Sequence, residues 1–436
     1  MLRRTVTDEL KKWKSRDKRK CLMIRGARQI GKTYAVDHFG KTEYESYISI
    51  NFLKTPSYKS IFEGDLDTKT LLMNISLYIP DAKLIKGRTL IFLDEIQECP
   101  EAITSLKFWN EEPEYDVIAS GSMLGIDYKR PASYPVGAID YIDMHSLSFR
   151  EFLWANGVND EVYELLEDCF QKKVPVPLPV NERIMQLFRM YIVLGGMPEV
   201  LEIFFSSNSL MEADAKQRAI LNDYRYDIAH YASADIKLKA EKCYFSLPDQ
   251  LSKENHKFQY SAVEKGGNAR KFSTSLDWLE GAYLTSKVMN LNGYDLPLRK
   301  SEDAQSFRVY ATDIGLFVAM FEYSVKERIL NPGKIDQASF RKGGIYEAVI
   351  ADVLLKNGYR ELYFRKDEAS TFEIEFIIEK ADGAIPIEVK STNSRSKSLD
   401  NLLKKSEIPY GYKLISGNIG VTDKKITLPL YMAMFI

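Results

Sequence analysis

Short apolar runs alternate with helical patterns through the first third of the chain. Val6, Leu10 and Trp13 share one helical face, which predicts a helix over residues 5–14. Further helices are predicted over residues 68–78 and 102–109, and strands over residues 22–24, 47–52, 89–93 and 116–120. Because strands that alternate with helices form parallel sheets with helices on both faces, this part predicts an α/β fold.

The pattern changes after residue 153. Residues 154–221 are mainly helical, but three prolines between Val174 and Pro179 exclude a helix interior and predict a stiff connector. The Gly195-Gly196 pair predicts a turn between two helical runs. Residues 240–325 predict short helices followed by a two-stranded wing, which is the order of a winged-helix module.

The final part of the chain predicts a second, smaller α/β unit. A helix is expected over residues 344–355, and strands over residues 362–364, 372–378 and 385–390. Polar and basic residues predict a linker over residues 334–342. The predicted domains, in chain order, are residues 1–153, 154–239, 240–333 and 334–436.

Composition is that of a globular protein, since 45% of the 436 residues are hydrophobic and 28% are charged. The formal net charge of −1 excludes a global basic field, so a nucleic-acid partner would need a local patch. The four cysteines lie far apart without C-x-x-C spacing, which disfavours disulfides or a zinc site and fits a reducing cytoplasm. A charged first segment and the lack of a long apolar window predict neither a signal peptide nor a membrane partner.

Candidate chemistry begins directly after the first predicted strand. Residues 26–33, GARQIGKT, fit the phosphate-loop pattern G-x-x-x-x-G-K-[ST] without a mismatch. Glycines at both ends let backbone N–H groups point inward at phosphate oxygens, Lys32 can reach the β- and γ-phosphates, and the Thr33 hydroxyl can bind Mg²⁺. A glycine-rich turn that matches by chance is the alternative. The predicted nucleotide-binding residues are Gly26, Ala27, Arg28, Gln29, Ile30, Gly31, Lys32 and Thr33.

A second, acidic site is expected where the strand over residues 89–93 ends. Asp94 would lie at the carboxyl end of this strand, where open α/β sheets bind ligands, and would hold Mg²⁺ together with Thr33. Glu95 is placed to act as the general base on the attacking water. An ordinary strand end with solvated acids is the alternative interpretation.

Ser120 ends the predicted strand over residues 116–120, and Ser122 follows two residues later. Polar residues at this position lie beside the γ-phosphate in such folds, so Ser120 or Ser122 is a candidate phosphate sensor. A plain turn at the end of the strand is the competing interpretation. The predicted catalytic residues are therefore Glu95, Lys32 and Ser122.

Several motifs together resemble a group of prokaryotic AAA-type ATPases whose carboxyl half is a domain of unknown function. They are GARQIGKT, LIFLDEIQECP, LSFREFL, YIVLGGMPEV, VYATDIGLF and IPIEVKS. The resemblance covers nearly the whole chain and implies ATP as the nucleotide. It also implies a P-loop NTPase parallel sheet, a helical lid, a winged-helix-like middle domain and a small α/β nuclease-like C-terminal domain. A lid turn touches the nucleotide in related signal-transduction ATPases, which here places Gly195, Gly196 and Pro198 near the base or ribose.

The carboxyl-terminal unit carries residues similar to the PD-(D/E)-x-K nuclease pattern. Alternation along a strand puts Glu388 and Lys390 on one face, and Glu375 and Glu347 complete a candidate second metal site. Relatives usually have aspartate where this chain has Glu375, and a carboxylate misplaced by more than about 1 Å can cost roughly 100-fold in rate. We therefore expect weak or no cleavage and a structural or docking role. An active metal-dependent nuclease is the alternative.

Two functional hypotheses follow from the sequence. The first is an ATP-binding and ATP-hydrolysing switch with Mg²⁺ as cofactor, in which nucleotide contacts bias the lid. The second is a regulator whose DNA binding is gated by ATP, through the predicted small basic, glycine-rich loop Lys265–Lys271. A protein partner is a further alternative that the sequence does not identify. Arg150 and Arg225 are the candidates for an arginine finger.

Overall fold

The computed structural model describes two sheets and the helices around them. The described residues are 2–111, 113–121, 137–253, 256–332, 343–367, 372–390 and 394–436. Their strands are β1 Cys21–Arg25, β2 Ser46–Asn51, β3 Thr89–Asp94, β4 Asp116–Ser120, β5 Ile139–Asp143, β6 Thr285–Leu291, β7 Glu302–Ala311, β8 Leu362–Lys366, β9 Glu373–Lys380, β10 Gly383–Val389, β11 Gly411–Ile415, β12 Gly420–Thr422 and β13 Lys425–Pro429.

Helices account for most of the remaining described residues. The α-helices are α1 Val6–Lys14, α2 Lys32–Glu43, α3 Thr68–Tyr78, α4 Pro100–Trp109, α5 Phe149–Ala155, α6 Asp160–Lys172, α7 Leu178–Leu194, α8 Pro198–Ser207, α9 Leu210–Tyr231, α10 Ala234–Phe245, α11 Leu247–Leu251, α12 Tyr260–Val263, α13 Ala269–Gly281, α14 Ile314–Ala319, α15 Tyr323–Leu330, α16 Gly343–Lys356 and α17 Lys397–Leu402. Short 3₁₀ helices cover Pro56–Phe62, Ile96–Glu98, Leu298–Ser301 and Leu430–Phe435.

Five parallel strands form the first sheet, in the order β2-β3-β4-β1-β5. Side chains alternate between its two faces, as the period of a strand requires. Leu22 and Ile24 of β1 join one apolar core with α1 and α2, whereas Cys21 and Met23 join a second core with α3 and α4. The predicted α/β fold with a parallel sheet is confirmed.

The helical segment after this sheet differs from the prediction at one point. The predicted end of the stiff connector, Pro179, was wrong, because Leu178 and Pro179 already belong to the first turn of α7. Proline is tolerated there because the first N–H groups of a helix have no acceptor within the helix. At the other end of α7, Gly195 has φ 71° and the chain turns toward α8, as the glycine pair predicted.

Eight strands form the second sheet, in the order β12-β13-β11-β10-β9-β8-β6-β7. The β6–β7 hairpin is antiparallel, and β6 also pairs in parallel with β8. The sheet therefore runs across the predicted boundary at residue 333. Helix α16 packs against this sheet, with Val349 and Ile350 fully buried. The domain boundaries and the winged-helix assignment stay predictions.

The prediction of a loop over the basic stretch Lys265–Lys271 was wrong at the carboxyl end of the stretch, because a helix begins at Ala269. Asn268 caps α13 by accepting the backbone N–H of Lys271 at 3.1 Å, so Lys271 belongs to the helix. Glu264 forms ion pairs with both Lys271 and Lys242. Part of the positive charge expected for phosphate contacts is therefore neutralised within the chain.

Within the described ranges, we find no helix that is long and apolar enough to cross a bilayer. All four cysteines are buried as free thiols.

Candidate functional site

The phosphate-loop pattern lies between β1 and α2, where the backbone adopts conformations that are rare for most residues. Gly26 has φ 148° and Gly31 has φ 90°, and Gln29 also has a positive φ of 63°. A Cβ atom on Gly26 would overlap the carbonyl oxygen of Met144. Glycine is therefore needed at position 26 for its conformation and for space. The positive amino end of α2 would favour an anion bound in this loop.

Lys32 is buried inside the loop, with 9% of its surface exposed. Its Nζ donates to the carbonyl oxygens of Gly26 at 3.0 Å and Ala27 at 2.6 Å. Burial lowers the pKa of Lys32 to about 8, although the charges of Glu95 and Asp94 act in the opposite direction. A phosphate in the loop favours the ammonium form, so this lysine is suited to bind an anion.

Asp94 ends β3 as a buried carboxylate surrounded by donors. The Thr33 hydroxyl donates to its two oxygens at 3.0 and 3.2 Å, Asn51 Nδ2 donates at 2.7 Å, and the Ser120 hydroxyl also donates. The structure thus brings Thr33 and Asp94 together, and their oxygens are the hard ligands that Mg²⁺ prefers. Sequence analysis missed Asn51, although a polar residue at the end of a strand is the signal that would have found it.

Glu95 follows in a left-handed conformation, with φ 53°. Gln97 Nε2 donates to Glu95 Oε2 at 2.5 Å, a contact that sequence analysis did not identify. Ser120 is bonded to Asp94, and Ser122, the predicted phosphate sensor, lies outside the described residues. The catalytic roles of Glu95, Lys32 and Ser122 stay predictions.

A cavity of about 670 Å³ opens between the phosphate loop and the helical segment. This volume lies within the range of about 300–1,000 Å³ that is common for ligand sites. The loop and Glu95 line one side, and residues of α8 and α9 line the other. The lining residues include Arg4, Arg28, Gln29, Gly31, Lys32, Thr33, Glu95, Pro198, Glu199, Glu202, Asp223, Tyr226 and Asp227.

Helix α9 contacts the loop through acidic side chains. Asp227 forms an ion pair with Arg28, and Asp223 accepts a hydrogen bond from Gln29 Nε2 at 2.8 Å. The Tyr224 hydroxyl donates to the Arg28 carbonyl oxygen at 3.3 Å. Burial raises the pKa of Asp227, and the charge of Arg28 opposes this shift. The side chains of Arg28 and Gln29 thus hold the loop to α9, and their predicted contacts with a nucleotide stay predictions.

The turn before α8 contains Gly196, which makes hydrogen bonds in the protein interior, and leads to Pro198, which faces the cavity. The Gly196 N–H donates to Asp313 Oδ2 at 2.9 Å, and its carbonyl oxygen accepts from the Leu147 N–H at 2.7 Å. A Cβ on Gly195 or Gly196 would overlap neighbouring atoms. Pro198 lines the cavity. The structure therefore places Pro198 beside the cavity and Gly196 in an internal network, and their nucleotide contacts stay predictions.

Arg4 supports the loop from outside the motif, which sequence analysis missed. Its Nη1 donates to the Ile30 carbonyl oxygen at 2.9 Å and its Nη2 to the His145 carbonyl oxygen at 2.6 Å. Its Nε lies 3.1 Å from Glu151 Oε1 in a buried ion pair. Burial acts to raise the pKa of Glu151, but Arg4 and backbone N–H donors outweigh it, so the pKa is lowered. Arg4 thereby ties the loop to α5.

Three of the residues predicted for a second metal site lie together. Glu375 is near the start of β9, Glu388 is near the end of the antiparallel β10, and Lys390 directly follows β10. Lys390 Nζ lies 3.1 Å from Glu375 Oε1 and 3.3 Å from Glu388 Oε1. Burial raises the pKa of Glu375 to about 7, and Lys390 acts in the opposite direction. The alternation argument for Glu388 and Lys390 thus agrees with their contact.

Glu347, the fourth residue of that group, has other partners. Its Oε2 lies 3.1 Å from Arg308 Nη1 and 2.8 Å from His256 Nδ1. The Tyr310 hydroxyl also donates to it, at 3.3 Å. Over the described part of the chain, no set of three or more His, Cys, Asp or Glu side chains is arranged to hold a metal ion. Metal binding by Glu347, Glu375, Glu388 and Lys390 stays a prediction.

Both candidate arginine fingers have partners within the chain. The Arg150 guanidinium lies 4.1 Å from the ring centre of Tyr163. Arg225 lies 3.4 Å from Glu241 and stacks on Phe245 at 4.1 Å. A finger role for either residue stays a prediction.

Replacing Arg4 with alanine should lower the free energy of unfolding by about 3–5 kcal/mol, because the buried carboxylate of Glu151 loses its charged partner. Nucleotide affinity should fall too, since the Ile30 carbonyl loses its donor. Urea denaturation and a nucleotide titration measure the two effects. In the double variant Arg4→Ala/Glu151→Gln no charge is left unpaired, so its loss should be smaller than the sum of the single losses. Additive losses would contradict the ion pair as their source.

Family models match three consecutive parts of the chain. Residues 18–153 match an AAA domain. Residues 185–327 match a domain of unknown function (DUF8612), and residues 342–432 match another (DUF4143). None of the curated proteins matches the chain significantly.

The chain is also similar to solved structures, at low identity. The Walker-type ATPase PABY2304 of Pyrococcus abyssi is 10% identical, with 73% of this chain and 96% of that chain covered and a TM-score of 0.44. The Orc1 protein of Aeropyrum pernix, solved in complex with DNA, is 10% identical, with 75% and 90% covered and a TM-score of 0.28. The AAA-domain match, together with the loop geometry, makes the amino-terminal unit an AAA-type P-loop ATPase-like domain.

Proposed function

We propose that the chain is an ATP-binding and ATP-hydrolysing molecular switch that uses Mg²⁺ as cofactor. The observation that carries this proposal is the arrangement of Lys32, Thr33 and Glu95 along one cavity, with Asp94 bonded to Thr33. These side chains supply an anion site, oxygen ligands for a metal ion and a general base. The AAA-domain match of residues 18–153 supports ATP as the nucleotide.

Each residue has a separate role in the proposed reaction. Loop N–H groups and Lys32 bind the phosphates. Thr33 and Asp94 would hold Mg²⁺, whose charge compensates the negative phosphates. Glu95 accepts a proton from the water that attacks the γ-phosphorus, and the bond to the ADP oxygen breaks. Ser122 is the proposed phosphate sensor.

The contacts between the loop and α9 support a switch. Arg28 is paired with Asp227 and Gln29 with Asp223, so two loop side chains are tied to the lid. A γ-phosphate attracts Arg28 and repels both carboxylates. We expect nucleotide binding to weaken these contacts and to shift α9 relative to the loop. The base and ribose are proposed to lie near Pro198, which lines the cavity, while Gly196 supports this turn from the protein interior.

Lys32→Ala should abolish nucleotide binding, because the loop loses its only buried cation among the described loop residues. Glu95→Gln should bind ATP as the wild type does but stop turnover, since an amide accepts no proton from water. A titration with labelled nucleotide and a phosphate-release assay separate the two effects. Binding by Lys32→Ala at wild-type affinity would sink the proposal.

Asp227→Asn should raise the affinity for ATP by roughly three- to tenfold, or about 0.7–1.4 kcal/mol. The substitution removes a carboxylate that competes with phosphate for Arg28, whereas Arg28→Ala should lower the affinity. Asp168→Asn is the matched control, because Asp168 lies on α6 in an exposed pair with Lys172. Isothermal titration measures all three variants. Weaker ATP binding by Asp227→Asn would contradict competition at the lid.

A second candidate function concerns the carboxyl-terminal unit, for which we propose a nuclease-like fold with weak or no cleavage. Glu388 Oε2 is buried without a hydrogen-bond partner among the described residues, and it lies beside Glu375 and Lys390. A buried carboxylate oxygen without a partner is costly, so a ligand that satisfied it would be stabilised there. This supports binding of a cation or a donor group.

The whole 436-residue chain with Mg²⁺ or Mn²⁺ should cleave linear duplex DNA weakly or not at all. The physical reason is that Glu347 is held by Arg308 and His256 and is not free to join a metal site with Glu375. A gel assay of cleavage over time, with Lys390→Ala as the control, measures this. Robust metal-dependent cleavage that Lys390→Ala abolishes would show an active nuclease instead.

An ATP-gated DNA-binding regulator is the remaining proposal. Lys265 and Arg270 are exposed, which supports a phosphate contact, whereas Lys271 is paired with Glu264. A protein partner is not identified by these contacts. The cytoplasmic location stays a prediction.

A further inference from the structure

Gln97 carries a buried side-chain amide, and neither the phosphate-loop motif nor the acidic motif predicts its contact with Glu95. Its side chain is on the 3₁₀ helix Ile96–Glu98, directly after Glu95, and only 1% of its surface is exposed. Nε2 donates to Glu95 Oε2 at 2.5 Å. A buried amide next to a carboxylate fixes where that carboxylate can lie.

The orientation of the Gln97 amide is determined by Glu95, because the buried Oε1 has no hydrogen-bond partner among the described residues. An ionised carboxylate only accepts hydrogen bonds, so Nε2 must face Glu95 and Oε1 must face away. Oε1 points toward Gly121, where a Cβ atom would lie only 2.5 Å from it. Gly121 directly follows β4, whose last residue Ser120 donates to Asp94. The amide therefore fills the space between Glu95 and the end of β4.

The two adjacent carboxylates of the site thus each have a side-chain amide. Asn51 Nδ2 donates to Asp94 at 2.7 Å, and Gln97 Nε2 donates to Glu95 at 2.5 Å. A general base contributes only when it is held within hydrogen-bond reach of the proton that it accepts. A glutamate has three side-chain torsions, so a fixed donor reduces the positions that its carboxylate can occupy.

We propose that Gln97 is a positioning residue for Glu95, acting through the hydrogen bond and not through contact with ATP. This inference rests on the proposed function, because it requires Glu95 to be the general base. Gln97 is almost fully buried, whereas Glu95 lines the cavity. The effect of Gln97 should therefore appear in the rate of hydrolysis and not in nucleotide affinity.

Gln97→Ala should lower kcat for ATP hydrolysis by roughly 10- to 100-fold, the cost of a misplaced catalytic group, with KM and ATP affinity unchanged. Gly121→Ala should act in the same direction, because its methyl group displaces Oε1. In a Glu95→Gln background, Gln97→Ala should have no further effect, since the base is already absent. Melting temperatures of all variants identify any that fail to fold.

Gln97→Glu gives a test that keeps the shape of the side chain. An ionised carboxylate at position 97 cannot donate a hydrogen bond to Glu95, so kcat should fall as it does in Gln97→Ala, with ATP affinity unchanged. Wild-type kcat in Gln97→Ala would overturn the proposal, and so would wild-type kcat in Gln97→Glu. Normal hydrolysis by Glu95→Gln would instead contradict the proposed function itself.

Discussion

The buried carboxylate of Asp94 is the constraint on which the nucleotide site depends. It receives hydrogen bonds from Thr33 at the start of α2, Asn51 at the end of β2 and Ser120 at the end of β4. An unpaired buried charge costs several kcal/mol, so these element ends are held in one arrangement. The phosphate loop, which leads into α2, and Glu95, which follows Asp94, therefore have fixed positions relative to each other.

A second group of buried charges joins this domain to the rest of the chain. Asp313 accepts from the Ser146 hydroxyl at 2.6 Å and from the Gly196 N–H at 2.9 Å, and it lies 3.8 Å from Lys356. Lys356 also pairs with Asp352 at 2.9 Å. Burial raises the pKa of Asp352 to about 6. The group thus connects the segment after β5, the turn before α8 and the end of α16. Movement of that turn would therefore disturb the buried charges of Asp313, Lys356 and Asp352.

The sequence predicted most elements because periodicity and turn chemistry act within a few residues, as the match of β4 to residues 116–120 shows. Pro179 was misassigned because the first turn of a helix tolerates proline. The partners of the loop could not be predicted, since Arg28 and Asp227 are 199 residues apart and only the fold brings them together. Gln97 lies next to the acidic motif, but its buried amide is visible only once Gly121 is placed beside it.

The charges around the cavity limit what can bind between the loop and α9. Asp223 and Asp227 line the same cavity as Lys32, so an anion meets attraction on one side and repulsion on the other. Under the proposed function, a bare phosphate chain would gain hydrogen bonds from the loop but would be repelled by these two carboxylates. A divalent cation would change this balance, because its charge compensates both the phosphates and the carboxylates of α9. Asp223 and Asp227 would therefore favour a metal–nucleotide complex over a free anion, a preference that the loop alone does not impose.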